Sequence, residues 1–266
     1  MRRSPVVANQ FYPGDSDILR KTLAHLIPQT GIEKRKAIAV VSPHAGYIYS
    51  GGVAGETFSE VDIPENVIII GPNHHGHGAP IAMMADGQWD MPMGPVPINR
   101  ELAGLIDDPF IETDDLAHRY EHSLEVQIPF LQFFQQNLEI VPLVISHISY
   151  SLCLSTGKAL AEAIRKYPKP VLLVASTDMT HYEPRQTASK KDHLALDHLE
   201  KLDPEQLYNT VTGQRISMCG IMPTTIVLIA ALELGATQAK LVRYTDSGAV
   251  SGDTDHVVGY AGVVIS

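Results

Sequence analysis

Four short apolar runs in this sequence each end in a polar turn that carries a histidine. Residues 37–41 lead into Ser42-Pro43-His44-Ala45-Gly46-Tyr47, and residues 67–70 into Gly71-Pro72-Asn73-His74-His75-Gly76. Residues 140–145 lead into Ser146-His147, and residues 171–174 are followed by Ser176-Thr177-Asp178-Met179-Thr180-His181-Tyr182. Imidazole binds metals and moves protons near neutral pH. A single histidine after a strand is usually a hydrogen-bonded loop residue, and His147 alone is read that way. His44 and His74 differ because Gly46 and Gly76 bracket their turns, and glycine permits the backbone angles and close approach that a site needs. Spacing alone does not choose between His74 and His75.

Three further groups carry chemistry. Asp178 and His181, three residues apart, form an acid/base pair in which the carboxylate could orient the imidazole or a metal-bound water. Cys219, in Ser217-Met218-Cys219-Gly220, stands just ahead of a helical stretch, where the helix dipole favours a thiolate and lowers its pKa. The plainer reading, a small buried hydrophobe, stays open for Cys219 and suits Cys153. The polar cluster His118-Arg119-Tyr120-Glu121-His122-Ser123-Leu124-Glu125 reads partly as a helix start at Ser123, with His122 as a pocket residue.

These groups need a frame. Continuous apolarity in the four runs predicts strands covered on both faces, as in a mainly parallel sheet. Apolar residues at three-to-four spacing predict helices over 16–26, 100–106, 124–134, 155–166, 188–201 and 224–234. Residues 239–244 and 257–265 return to strand character. Alternating strands and helices without a linker or repeat predict one α/β domain over residues 1–266. Ligands of such sheets bind beyond the carboxyl ends of the strands, so the four turns would converge on one crevice. The Gly-, Pro- and Met-rich stretch 76–97 reads as a long loop that would gate it.

Composition narrows the partners. A net charge of -10 disfavours a nucleic-acid backbone, and the single basic run, Lys34-Arg35-Lys36, reads as a solvated loop. The most apolar stretch, residues 221–234, is interrupted by Pro223, Thr224, Thr225 and Glu233 and falls short of the roughly 20 residues a spanning helix needs. No signal peptide is legible at the start. Two distant cysteines make a disulfide scaffold improbable, and the expected compartment is a reducing cytoplasm.

In order along the chain, Gln10-Phe11-Tyr12-Pro13, Pro43-His44-Ala45-Gly46-Tyr47, Gly71-Pro72-Asn73-His74-His75, Glu121-His122-Ser123-Leu124-Glu125, Ser176-Thr177-Asp178-Met179-Thr180-His181, Cys219-Gly220, Ser251-Gly252-Asp253 and Val258-Gly259-Tyr260-Ala261 resemble the MEMO family, also called AmmeMemoRadiSam system protein B. Asn9 stands where that family often has Gly. The resemblance implies a three-layer α/β fold with a mainly parallel or mixed sheet, similar to class III extradiol dioxygenases. It implies His44, His74 and Cys219 as metal ligands, with Asp178 and His181 on the acid/base side. Fe(II) is the first expected metal, with Cu or Zn as alternatives. It further implies partnership with AMMECR1-domain and radical SAM proteins. Two functions follow as expectations: a metal-dependent oxidoreductase acting on a small organic substrate, or a non-catalytic module that binds metal, a small molecule or a peptide. The titratable surplus of Asp178, His181 and His122 favours the first. A metal-free hydrolase is disfavoured, because no Gly-x-Ser-x-Gly elbow occurs.

Overall fold

The computed structural model describes residues 1–28 and 34–266. At its centre lie four parallel strands, Ala39–Ser42, Val171–Ser176, Asn66–Pro72 and Glu139–Ile145, in that spatial order. They are β-branched and nearly wholly buried, as strands covered on both faces must be. Antiparallel neighbours flank them, so the sheet is mixed. Val257–Ile265 pairs with Ala39–Ser42, with Ala239–Asp246 and with His181–Glu183, while Ile81–Met83 pairs with Glu139–Ile145 and, in parallel, with Glu112–Thr113.

Alternation along each strand divides the core in two. Val41, Ile68, Ile70, Val141 and Leu173 face one layer, packed by Leu160, Leu196, Val211 and Ile226. Val40, Val67, Ile69, Val174 and Val264 face the other, packed by Leu19, Leu23, Phe58 and Phe130. The expected α/β class with helices on both sheet faces is the one observed.

Helix boundaries shift in ways that local chemistry explains. The helix expected at 155–166 is Tyr150–Lys166, started by Ser149, whose side chain accepts from the Leu152 amide. Ile221–Glu233 begins three residues earlier than its periodicity suggests. Within 124–134 the chain forms a 3-10 turn, Glu125–Gln127, before the helix Ile128–Phe134. Ser123 is not its cap: the turn starts from Leu124 with no side-chain cap bond, and the Ser123 hydroxyl donates to the Pro72 carbonyl.

Among the described residues three helices escape the periodicity: Tyr47–Ser59, Pro204–Gly213 and the four-residue Gly248–Ser251. Tyr47–Ser59 hides behind glycines, one of which, Gly55, packs so closely that a Cβ would lie 2.4 Å from the Leu26 carbonyl oxygen. Pro204–Gly213 is capped by Asp203, which accepts from the Gln206 amide.

The stretch 76–97 requires a correction. It holds Ile81–Met83, Gln88–Met91 and Gly94–Pro97, the last two pairing with each other and the first of them with Arg2–Arg3 in a small second sheet. Met84 and Trp89 are fully buried. Strands of three or four residues broken by Gly and Pro show no periodicity, but burial of these side chains anchors the segment as sheet rather than loop.

Candidate metal centre

Two strand ends and one turn bring three imidazoles together. His44 follows Ala39–Ser42, His74 follows Asn66–Pro72, and His122 arrives from the polar turn beneath Glu125–Gln127. One ligand atom from each lies within 4.8 Å of the others. The His74 and His122 rings stack at 4.7 Å, and the His44 ring stands edge-on to both, at 5.2 and 5.6 Å. Phe11 closes the outer side of His122 at 5.0 Å.

Hydrogen bonding decides which nitrogen carries the proton in two of the three rings, His44 and His74. The Ser176 hydroxyl donates its one proton to the Ser123 carbonyl at 2.7 Å and accepts from the Gln127 amide at 2.8 Å. It therefore accepts from His44 Nδ1 as well, at 3.0 Å, and His44 Nε2 keeps its lone pair. His74 Nδ1 lies 2.8 Å from Oε1 of Glu121, whose other oxygen accepts the His74 amide at 2.7 Å. An ionised carboxylate only accepts, so Nδ1 carries a proton and the neutral ring of His74 offers its lone pair at Nε2. Histidine ligands of a metal usually donate their other ring N–H to a carboxylate or another oxygen acceptor in this way.

Charge states agree with this arrangement. Burial first, then the neighbouring His74 and His122, holds the His44 imidazole well below its ordinary value. Burial also lowers His122, to about 4. Burial, the largest single cause, would lower His74, but the bond to Glu121 together with the charges of Glu121 and Asp178 raises the ring. For Glu121, burial would raise the carboxyl, yet bonds from His74 and the Ser123 amide hold it well below the usual range. A cluster with neutral His44 and His122 beside a buried anion suits a cation.

Cys219 adjoins the trio without completing it. Its Sγ lies 3.3 Å from His44 Nε2 and accepts from the Asp178 amide at 3.2 Å. It stands just before Ile221–Glu233, as expected, but its thiol is not lowered. Burial and then the Asp178 carboxylate push it up, and in the free thiol these exceed the effect of nearby amides. Gly220 makes the approach feasible, since a Cβ there would lie 2.4 Å from the Ser176 carbonyl and from Thr177 Cβ. Gly46, by contrast, has φ -56 and room for a side chain, whereas Gly76 has φ +63 and does need glycine's freedom.

Asp178 and His181 do not hydrogen-bond to each other. Asp178 accepts the His44 amide at 2.7 Å, which fixes the His44 turn, and burial raises its carboxyl to about 6. His181 is oriented instead by Ser217, whose carbonyl accepts from Nδ1 at 2.9 Å, leaving Nε2 bare. His147 and His75 are exposed and outside the trio. The sequence gives no role to Glu121, Ser176, Gln127 or Ser217, although all but Gln127 stand in the quoted motifs.

Beside His74 and Cys219 opens a cleft of about 500 Å³, whose walls include His147, Arg215, Met218 and Met222.

Comparison with known proteins agrees with the motifs. A family model described as "Memo-like protein" matches residues 3–264. A MEMO1 family protein of Aquifex aeolicus is 40% identical over 264 residues, covering 98% of both chains. Another, of Methanococcoides burtonii, is 39% identical over 264 residues, covering 99% of both. An uncharacterized protein of Escherichia coli K12 shares the fold at TM-score 0.53 and 16% identity, over 84% of this chain and 99% of its own. With a family match that runs almost end to end, the chain belongs to the Memo-like family.

Proposed function

We propose that His44, His74 and His122 hold one metal ion and that the chain is a metal-dependent oxidoreductase acting on a small organic molecule. The observation that carries this reading is the trio itself, with ligand atoms within 4.8 Å and two of its rings oriented through Nδ1 so that Nε2 is available. Imidazole donors suit iron, copper and zinc alike, and Fe(II) is the first metal to test, followed by Cu(I) and Zn(II). A bound cation there would supply Lewis acidity or redox capacity next to the cleft. The chain's own part is to orient the donors through Glu121 and Ser176, to fix the His44 turn through Asp178, and to offer His181 Nε2 as a proton acceptor.

Cys219 supports a second ligand set, His44 with His74 and the thiolate, because its sulfur lies 3.3 Å from His44 Nε2. A cation reverses the pKa effect of burial on a coordinating thiol. Elemental analysis of untagged protein separates the two sets. His74→Ala is expected to lose the metal under both, His122→Ala only under the first, and Cys219→Ala only under the second. Equal metal content in the wild type and all three variants sinks the proposal. A non-catalytic binding role would show as stoichiometric metal without oxygen or substrate turnover.

A further inference from the structure

The cleft beside His74 and Cys219 has a chemical character of its own. Its apolar wall is built from Ile145, Val211, Ile216, Met218 and Met222, and its volume of about 500 Å³ matches sites that enclose small organic ligands. No carboxylate lines it, although the chain carries 30 acidic residues against 20 basic ones. The charged side chain that does line it is Arg215, with His147 also on the wall.

Arg215 is placed at a cost. It follows the helix Pro204–Gly213 with φ 52, a left-handed backbone that glycine or asparagine adopts more readily. Its amide closes the turn on the Thr212 carbonyl, yet among the described residues nothing pairs with its guanidinium. Arg185, by contrast, is engaged by both oxygens of Asp246. An unpaired guanidinium on the wall of an acid-free cleft is a ready partner for an external anion, and its planar fork matches a carboxylate.

We propose that this cleft binds a small carboxylic acid with an apolar body, the carboxylate on Arg215 and the body directed toward His74 and Cys219. One guanidinium among apolar side chains suits a monoanion better than a dianionic phosphate, which calls for more donors. The assignment rests on the reading of the trio as a reactive centre for what happens at the ligand's inner end, while binding itself is a property of the cleft.

Calorimetric titration with 3-phenylpropanoate, its neutral amide and phenyl phosphate tests it, with metal content measured on the same samples. Wild type is expected to bind the acid about ten-fold or more tightly than the amide. Arg215→Gln and Arg215→Asn, the second chosen because asparagine tolerates the left-handed turn, are each expected to remove that preference, and Arg215→Lys to restore part of it. Equal affinity for acid and amide, no saturable binding of the acid, tighter binding of phenyl phosphate, or unchanged affinity in both charge-removing variants overturns the proposal. Acid binding to wild type that proves metal-free would refute the metal centre alone and leave the cleft assignment standing.

Discussion

His44 and His74 are both protonated on Nδ1, because neither Ser176 nor Glu121 has a proton to give them. The two histidines themselves were legible, each at the end of a β-branched run and beside a glycine. Their partners were not. Ser176 lies 132 residues from His44 and Glu121 lies 47 from His74, and no spacing rule reaches across such gaps. His118 shows the same limit from the other side. It was read only as part of a polar cluster, yet it is buried and faces Trp89 at 6.3 Å. Burial first, then the Arg3 guanidinium, pushes its imidazole from the ordinary 6.5 down to about 3. Between those values the unfolded chain holds the proton and the folded chain does not. Stability from this residue is therefore complete above pH 6.5 and lost as pH falls toward 3, with a slope of at most about 1.4 kcal/mol per pH unit. Urea unfolding of wild type and His118→Gln across that window should give a flatter pH dependence for the variant, and parallel curves would exclude His118 as a source of the slope.

The central strands were legible for a physical reason. Asn66–Pro72 and Glu139–Ile145 are buried on both faces, and that demand writes itself into continuous Val and Ile. Tyr47–Ser59 is dictated instead by close packing, which selects glycine and so removes the apolar stripe that marks a helix. The short strands within 76–97 leave no periodic trace, which is why the segment read as a lid. Gly220 is where packing between elements bears directly on the centre. It lets Ile221–Glu233 start against Val171–Ser176, which brings Cys219 to His44. Gly220→Ala would place a methyl against backbone on one side and Thr177 on the other, and overpacking of this kind costs roughly 1–3 kcal/mol. Thermal unfolding is expected to show a lower midpoint. Retention of the wild-type midpoint would mean that the strand end yields more readily than the contact distances imply.

Across the whole molecule, the sheet presents the centre and the N-terminal segment fastens it. Glu125, fully buried, accepts from Arg3 at 2.7 Å, from the Val6 and Val7 amides, and from the Tyr12 hydroxyl at 2.7 Å. Arg3 also lies over Trp89 at 4.0 Å and donates to the His118 and Glu121 carbonyls. One ion pair thus joins the first residues, the small sheet and the turn that carries Glu121 and His122. Asn9, where the resembling family often has Gly, takes φ 65 in this same segment, and its side chain accepts the Gly14 amide at 2.9 Å. The motif order along the chain made the family and fold class legible, but a link from Arg3 to Glu125 had no sequence signal, since an arginine near a terminus reads as solvated. Its burial on both sides, 2% and 0% exposed, makes it costly to break by halves. Removing one partner of such a pair typically costs about 3–5 kcal/mol, because the other is left charged and dry. Arg3→Met and Glu125→Met should each be destabilised on that scale. The double variant should lose markedly less than the sum of the two, since it strands no buried charge. Additive losses in a chemical-denaturation cycle would show that the segment is held by its backbone bonds and apolar packing, with the ion pair incidental to the closure of the site.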